Sequence, residues 1–221
     1  MTAAFGERAG SAERPLVAVL DYGIGNLRSA QKALERVGAD ARLTADPGLI
    51  AEAAGVVLPG VGAFGRCMEA LADAGLRDLA HAAAVDAAGG SGRPFLGVCV
   101  GMQMLFEGSD ESPAATGLGA FPGRIRLLPE GVKRPQMQWN VLRFLTGSAL
   151  AVGQPDPCWV YFVHSYAAEV GDPADVAATC DYGGPVTAAV ERGQLWATQF
   201  HPEKSAANGL RLLGAFVASL G

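Results

Sequence analysis

A strand that must turn at once into a helix constrains this chain more than any other feature of its sequence. Pro94-Phe95-Leu96 opens an apolar run that ends in Gly97-Val98-Cys99-Val100-Gly101, and Met102-Gln103-Met104-Leu105-Phe106 continues as a helix start. Glycines two residues either side of Cys99 let the backbone reverse without a Cβ clash, and the central side chain is left at the strand's end, as in a nucleophile elbow. A thiol there also lies at a helix N-terminus, where unpaired N–H groups and the macrodipole favour negative charge. A free cysteine is more often a small buried hydrophobe. Two glycines in register favour the nucleophile.

A thiolate nucleophile needs a base and a group to orient that base. The candidates are His81, His164 and His201. His201 begins His201-Pro202-Glu203-Lys204-Ser205, directly after the apolar stretch Leu195-Trp196-Ala197-Thr198-Gln199-Phe200. Pro202 biases His201 towards extended backbone, and in extended chain residues two apart point to the same side. Glu203 then accepts from one imidazole nitrogen and leaves the other for Cys99. Alone, His-Pro-Glu reads as a strand-end turn; beside the elbow it completes a Cys99-His201-Glu203 triad.

Hydrophobic periodicity predicts the surrounding architecture. Leu16-Val17-Ala18-Val19-Leu20 reads as a strand, followed by a helix over 27–37; Gly55-Val56-Val57-Leu58 reads as a second, followed by helices over 64–73 and 76–88. This βα alternation argues an α/β fold, a mostly parallel central sheet with helices on both faces. Later runs at 159–166, 176–182, 186–191 and 195–200 predict antiparallel additions before a closing helix at 208–220. Gly23 and Gly25 follow the first strand, but Arg28 stands where a dinucleotide-binding turn needs its third glycine, so they read as a tight βα turn.

The chain of 221 residues suits one domain, placed at 15–221, behind a short disordered extension at 1–14 that has charge and glycine but no apolar signal core. No uninterrupted apolar run is long enough to span a bilayer. Cys67, Cys99, Cys158 and Cys180 lack paired metal-ligand spacing, and a nucleophile among them argues for a reducing, cytoplasmic setting. A net charge of −5 with no Lys/Arg cluster argues against nucleic acid as a partner.

The elbow and His-Pro-Glu resemble the class I glutamine amidotransferase family. Asp21-Tyr22-Gly23-Ile24-Gly25-Asn26-Leu27, Pro59-Gly60-Val61-Gly62-Ala63-Phe64, Met137-Gln138-Trp139-Asn140 and Tyr161-Phe162-Val163-His164-Ser165-Tyr166 fall in the order of those members that serve a cyclase in histidine biosynthesis. That resemblance spans residue 16 to the C-terminus. It implies hydrolysis of L-glutamine by a glutamyl thioester without metal or organic cofactor, and delivery of ammonia to a βα-barrel cyclase in a heterodimer.

The resemblance also implies roles for further residues. Gly60, Val61 and Gly62 form an oxyanion strand that acts with the N–H of Val100, the residue after Cys99. Gln103 and Glu111 contact the α-amino and α-carboxylate ends of glutamine, and Ser165 and Tyr166 add backbone contacts. Asn26, Trp139, Tyr161 and Lys204 face the partner. On residues alone, the glycine run also reads as an ordinary loop, Glu111 and Lys204 as solvated charges, and the two aromatics as core. One segment departs from the pattern: the family reads His-Met-Gly-Trp-Asn where this chain has Gln136-Met137-Gln138-Trp139-Asn140, on a stretch the resemblance assigns to the partner-facing side.

Overall fold

The computed structural model describes residues 14–145 and 147–221. The extension expected at 1–14 lies, Arg14 apart, outside the described residues. The first half runs β1 (Leu16–Leu20), α1 (Leu27–Arg36), β2 (Asp40–Thr44), α2 (Pro47–Glu52), β3 (Gly55–Gly60), α3 (Phe64–Asp73), α4 (Arg77–Ala88), β4 (Phe95–Cys99) and α5 (Val100–Met104). The second half runs β5 (Gly108–Ser109), β6 (Gly123–Leu127), β7 (Gln136–Phe144), β8 (Cys158–His164), β9 (Tyr166–Val170), β10 (Val176–Asp181), β11 (Pro185–Arg192), β12 (Leu195–Thr198) and α6 (Ala206–Ala218).

A nine-stranded sheet has the order β2-β1-β3-β4-β12-β11-β10-β7-β8. From β2 to β12 neighbours are parallel; from β12 outward they are antiparallel. The parallel strands are covered on both faces, which is why Val17–Leu20, Val56–Leu58 and Phe95–Leu96 are uninterrupted apolar runs with no polar alternation. Helix α1 packs with α6, while α3 packs with α4 and α5. Strand order reverses direction between β1 and β3, and in open α/β sheets such a reversal opens a crevice beyond the carboxyl ends of the strands.

One expectation changes, and further elements appear that sequence reasoning did not name. The run at 159–166 is not one strand: the chain leaves the large sheet at Ser165, and β9 joins β5 and β6 in a separate three-stranded sheet. Strands β2 and β7 were not legible because β2 offers only Ala41 and Leu43 on its apolar face and β7 carries polar residues on both faces; β2 is an edge strand and β7 lies next to the edge strand β8. Helix α2, which sequence reasoning did not name, begins at Asp46-Pro47-Gly48. Asp46 Oδ1 caps the helix, accepting from the N–H of Gly48 at 2.7 Å and of Leu49 at 3.0 Å, with Pro47 in the first turn.

Candidate active site

The elbow forms at the junction of β4 and α5, but its strain sits on an unexpected residue. Cys99 itself holds φ 56° and ψ −113°, a left-handed conformation uncommon for a residue with a Cβ. The flanking glycines serve close approach instead. A Cβ on Gly101 would stand 1.9 Å from the Leu58 carbonyl oxygen, and one on Gly60 would stand 2.6 Å from the Gly101 nitrogen. The end of β3 and the start of α5 therefore meet backbone to backbone, with Gly60 paired to Cys99 across the sheet. Gly101→Ala is expected to wedge them apart and lower unfolding free energy by about 1–3 kcal/mol, the usual cost of overpacking. A urea-denaturation midpoint equal to wild type would contradict that contact.

His201 arrives by sheet register. Strand β12 runs parallel to β4 with Thr198 opposite Val98, so the chain leaving β12 emerges beside Cys99. The His201 N–H donates to the Tyr161 carbonyl on β8 at 3.1 Å, and the Ser205 hydroxyl donates to the His201 carbonyl at 2.7 Å. Nδ1 lies 2.8 Å from Glu203 Oε1; a carboxylate only accepts, so Nδ1 carries the proton and Nε2 is left for Cys99. Glu203 reaches this position from a single 3-10 turn, Pro202–Lys204, rather than from the extended chain expected. Burial would lower the imidazole pKa, but hydrogen bonds with Cys99 and Glu203 and their negative charge outweigh it, pushing it up to about 9. His164 goes the other way, to about 4, because it is buried and only the Tyr166 carbonyl supports its charge. His201 therefore holds a proton at neutral pH and His164 does not.

A cavity of ≈ 560 Å³ opens over Cys99 and His201. Its walls bring together Val61, Gly62, Val100, Gln103, Glu111, Ser165, Tyr166, Asn26 and Lys204, with Gly25, Pro135, Val163 and His164 completing them. Gly60 stands in a narrow recess behind, and Glu203 is enclosed beneath His201. Glu111 is not a free surface acid: Oε2 accepts from the Phe64 N–H at 2.8 Å, capping α3. Gln103 donates both amide protons to protein, to the Tyr166 carbonyl at 3.0 Å and to Gln199 Oε1 at 3.1 Å. It thereby ties the Ser165–Tyr166 wall to the elbow. Trp139 and Tyr161 lie outside the cavity, paired edge-to-face at 6.1 Å across β7 and β8. Trp139 is 46% exposed and Met137 61%. Gln136 does not share their outward face; it is fully buried, and its amide nitrogen approaches Cys180 Sγ at 3.7 Å.

Sequence reasoning passed over Gln199. This buried amide lies 3.9 Å from Cys99 Sγ and links it to Gln103. Its place two residues before His201, inside an otherwise apolar strand end, was the available signal. Among the described residues no group of three His, Cys, Asp or Glu is placed to hold a metal ion.

The fold and this site define a class of protein. Residues 18–218 match the family described as Glutamine amidotransferase class-I, and the chain belongs to that family. A crystal structure of a glutamine amidotransferase superimposes with TM-score 0.71 at 20% identity, covering 93% of this chain and 98% of the other, and the PurLQS structure from Thermotoga maritima gives 0.68 at 19%, covering 94% and 100%. Both likenesses speak to the fold. Sequence relatives carry the assignment further: proteins from Methylococcus capsulatus and Synechococcus elongatus are each 48% identical, covering 91% and 95% of this chain and 95% of their own lengths. One from Methanothermobacter thermautotrophicus is 47% identical, covering 91% and 98%. All three bear the name imidazole glycerol phosphate synthase subunit HisH.

Proposed function

We propose that this chain is the glutaminase subunit of an imidazole glycerol phosphate synthase, supplying ammonia to a cyclase subunit in L-histidine biosynthesis. Near-half identity to HisH subunits over nearly their whole length supports the assignment. The observation that supports the chemistry is that Cys99 and His201 line one cavity, with His201 Nδ1 held 2.8 Å from Glu203 Oε1. Cys99 as thiolate attacks the glutamine side-chain carbonyl, and the oxyanion takes N–H groups from Val61, in the strand Pro59-Gly60-Val61-Gly62, and from Val100. Protonated His201 gives its Nε2 proton to the departing ammonia, leaving a glutamyl thioester. Neutral His201 then takes a proton from water, which attacks the thioester and releases glutamate. Ammonia in neutral water becomes ammonium and loses its nucleophilic lone pair, so delivery to an attached βα-barrel cyclase, in a cytoplasmic heterodimer, preserves it. The wall residues Gln103, Glu111, Ser165 and Tyr166 surround the α-amino and α-carboxylate ends of the substrate. The exposed Trp139 with Tyr161, and Asn26 and Lys204 at the cavity, meet the partner.

The isolated chain is a poor glutaminase in this reading, because the glycine-flanked peptide between Gly60 and Val61 rests turned away from the oxyanion. Partner and cyclase ligand favour the active orientation through differential contacts. Tyr161 offers a short route: its ring pairs with Trp139 on the outer face while its carbonyl holds the His201 backbone. The test is glutaminase kcat/KM of the isolated chain, of its complex with a cyclase subunit, and of the complex with cyclase ligand. A rise of about 100-fold is expected across the series. Equal values in all three states would refute the switch while leaving the triad standing.

A further inference from the structure

Two buried donors lie behind the oxyanion strand, and neither enters the chemistry described above. Tyr22, just beyond β1, is 5% exposed, and its hydroxyl donates to the Pro59 carbonyl at 2.6 Å. Cys67, in the first turns of α3, is fully buried, and its thiol donates to the Val61 carbonyl at 3.2 Å. Burial pushes both groups up, so each keeps its proton and remains a donor.

The two carbonyls belong to alternate peptide units. Pro59 C=O is part of the Pro59–Gly60 unit, and Val61 C=O is part of the Val61–Gly62 unit. Between them lies the Gly60–Val61 unit alone. Because each peptide is rigid, one unit turns by opposite changes in ψ of the residue before it and φ of the residue after it, leaving its neighbours in place. Gly60 tolerates that change without a Cβ penalty. It is also packed too close to Gly101 for a Cβ, so the whole strand has no room to swing as a body.

We propose that Tyr22 Oη and Cys67 Sγ are positioning groups that hold the Pro59 and Val61 carbonyls and so confine oxyanion-strand reorientation to the single Gly60–Val61 peptide. This inference rests on the glutaminase reading, in which the N–H of that peptide meets the tetrahedral oxygen. Without the pins, the adjoining peptides also turn, and the active orientation becomes one of several.

The test uses the assembled complex and the substitutions Tyr22→Phe, Cys67→Ala and Cys67→Ser. Tyr22→Phe keeps the ring and removes only the donor; it is expected to lower kcat about tenfold with KM within about twofold. Cys67→Ala removes a weaker donor and is expected to lower kcat about threefold, and Cys67→Ser, which restores one, to recover most of that loss. Alkylation of Cys99 by iodoacetamide forms no oxyanion, so its rate is expected to match wild type in every variant. A purely packing role would shift the melting temperature and leave kcat unmoved. Wild-type kcat in Tyr22→Phe or Cys67→Ala would remove that residue from the role. Cys67→Ser as slow as Cys67→Ala, or alkylation falling in step with kcat, would overturn the mechanism of pinning. Failure of the parent reading looks different: the wild-type complex itself would not hydrolyse glutamine, or alkylated Cys99 would leave it active.

Discussion

Replacing Cys99 with alanine is expected to abolish glutamine hydrolysis and leave the fold in place. The substitution removes the attacking sulfur, and losing the nucleophile of a triad costs on the order of 10⁴-fold or more in kcat. Structural damage is small, because alanine bears the same Cβ and meets the same positive φ that Cys99 already sustains. The lost sulfur borders an open cavity rather than closed core, so no void is sealed in. A glutamine analogue with an electrophilic side chain is expected to label Cys99 and none of the other thiols. Burial pushes Cys158 and Cys180 up to about 11 and raises Cys67 as well, so none of the three supplies much thiolate at neutral pH. The checks are kcat in the assembled complex, the circular dichroism of the variant, and mass mapping of the label. Labelling at another cysteine, or turnover by the alanine variant, would sink the assignment.

His201→Asn is the second large loss, expected to remove nearly all turnover because both proton transfers pass through this ring. Glu203→Gln is expected to be milder, since Glu203 orients the ring and supports its charge without touching substrate. A pH signature separates these roles from simple disruption. In the folded chain the imidazole pKa is raised from 6.5 to about 9, so protonation favours the folded state. That contribution is fully present below pH 6.5 and is lost as pH rises through about 9. The melting-temperature advantage of wild type over His201→Asn is therefore expected to shrink between those values. An advantage independent of pH across that window would mean His201 holds no extra proton in the fold. Wild-type-like turnover in both variants would remove both residues from the mechanism.

The proposed catalytic centre was unusually legible because two of its three residues are neighbours. His201 and Glu203 are fixed to each other by the single turn between them, and Cys99 is announced by its glycines. The legible strands β1, β3 and β4 are buried on both faces, so their apolar runs carry no competing periodicity. Of the illegible ones in the large sheet, β2 is an edge strand and β7 lies next to one. Residues 123–127 were missed because β6 alternates arginines with its buried isoleucine, leaving a short strand with one core residue. The break at Ser165 could not be read either, since β8 and β9 form one continuous strand-like run and only their partners differ. Gln136, expected on the partner-facing side, turned inward because strand alternation gives that face to Met137 and Trp139.

Residue order by itself determined the α/β class and picked out the proposed triad, through local patterns: a strand-glycine-helix junction, a His-Pro-Glu turn, and apolar runs alternating with helical stretches. Contacts between distant segments belong to the tertiary structure alone. Strand register brings His201 to Cys99, the Tyr161 carbonyl holds the His201 backbone, and Gln199 meets Cys99 Sγ. Tyr22, just beyond β1, and Cys67 on α3 reach the Pro59 and Val61 carbonyls, and Glu111 caps a helix forty-seven positions earlier in the chain. Local pattern reports what a residue's neighbours in sequence demand of it. Strand order and packing decide which remote groups it meets, and those meetings bring Cys99 and His201 to the wall of one cavity.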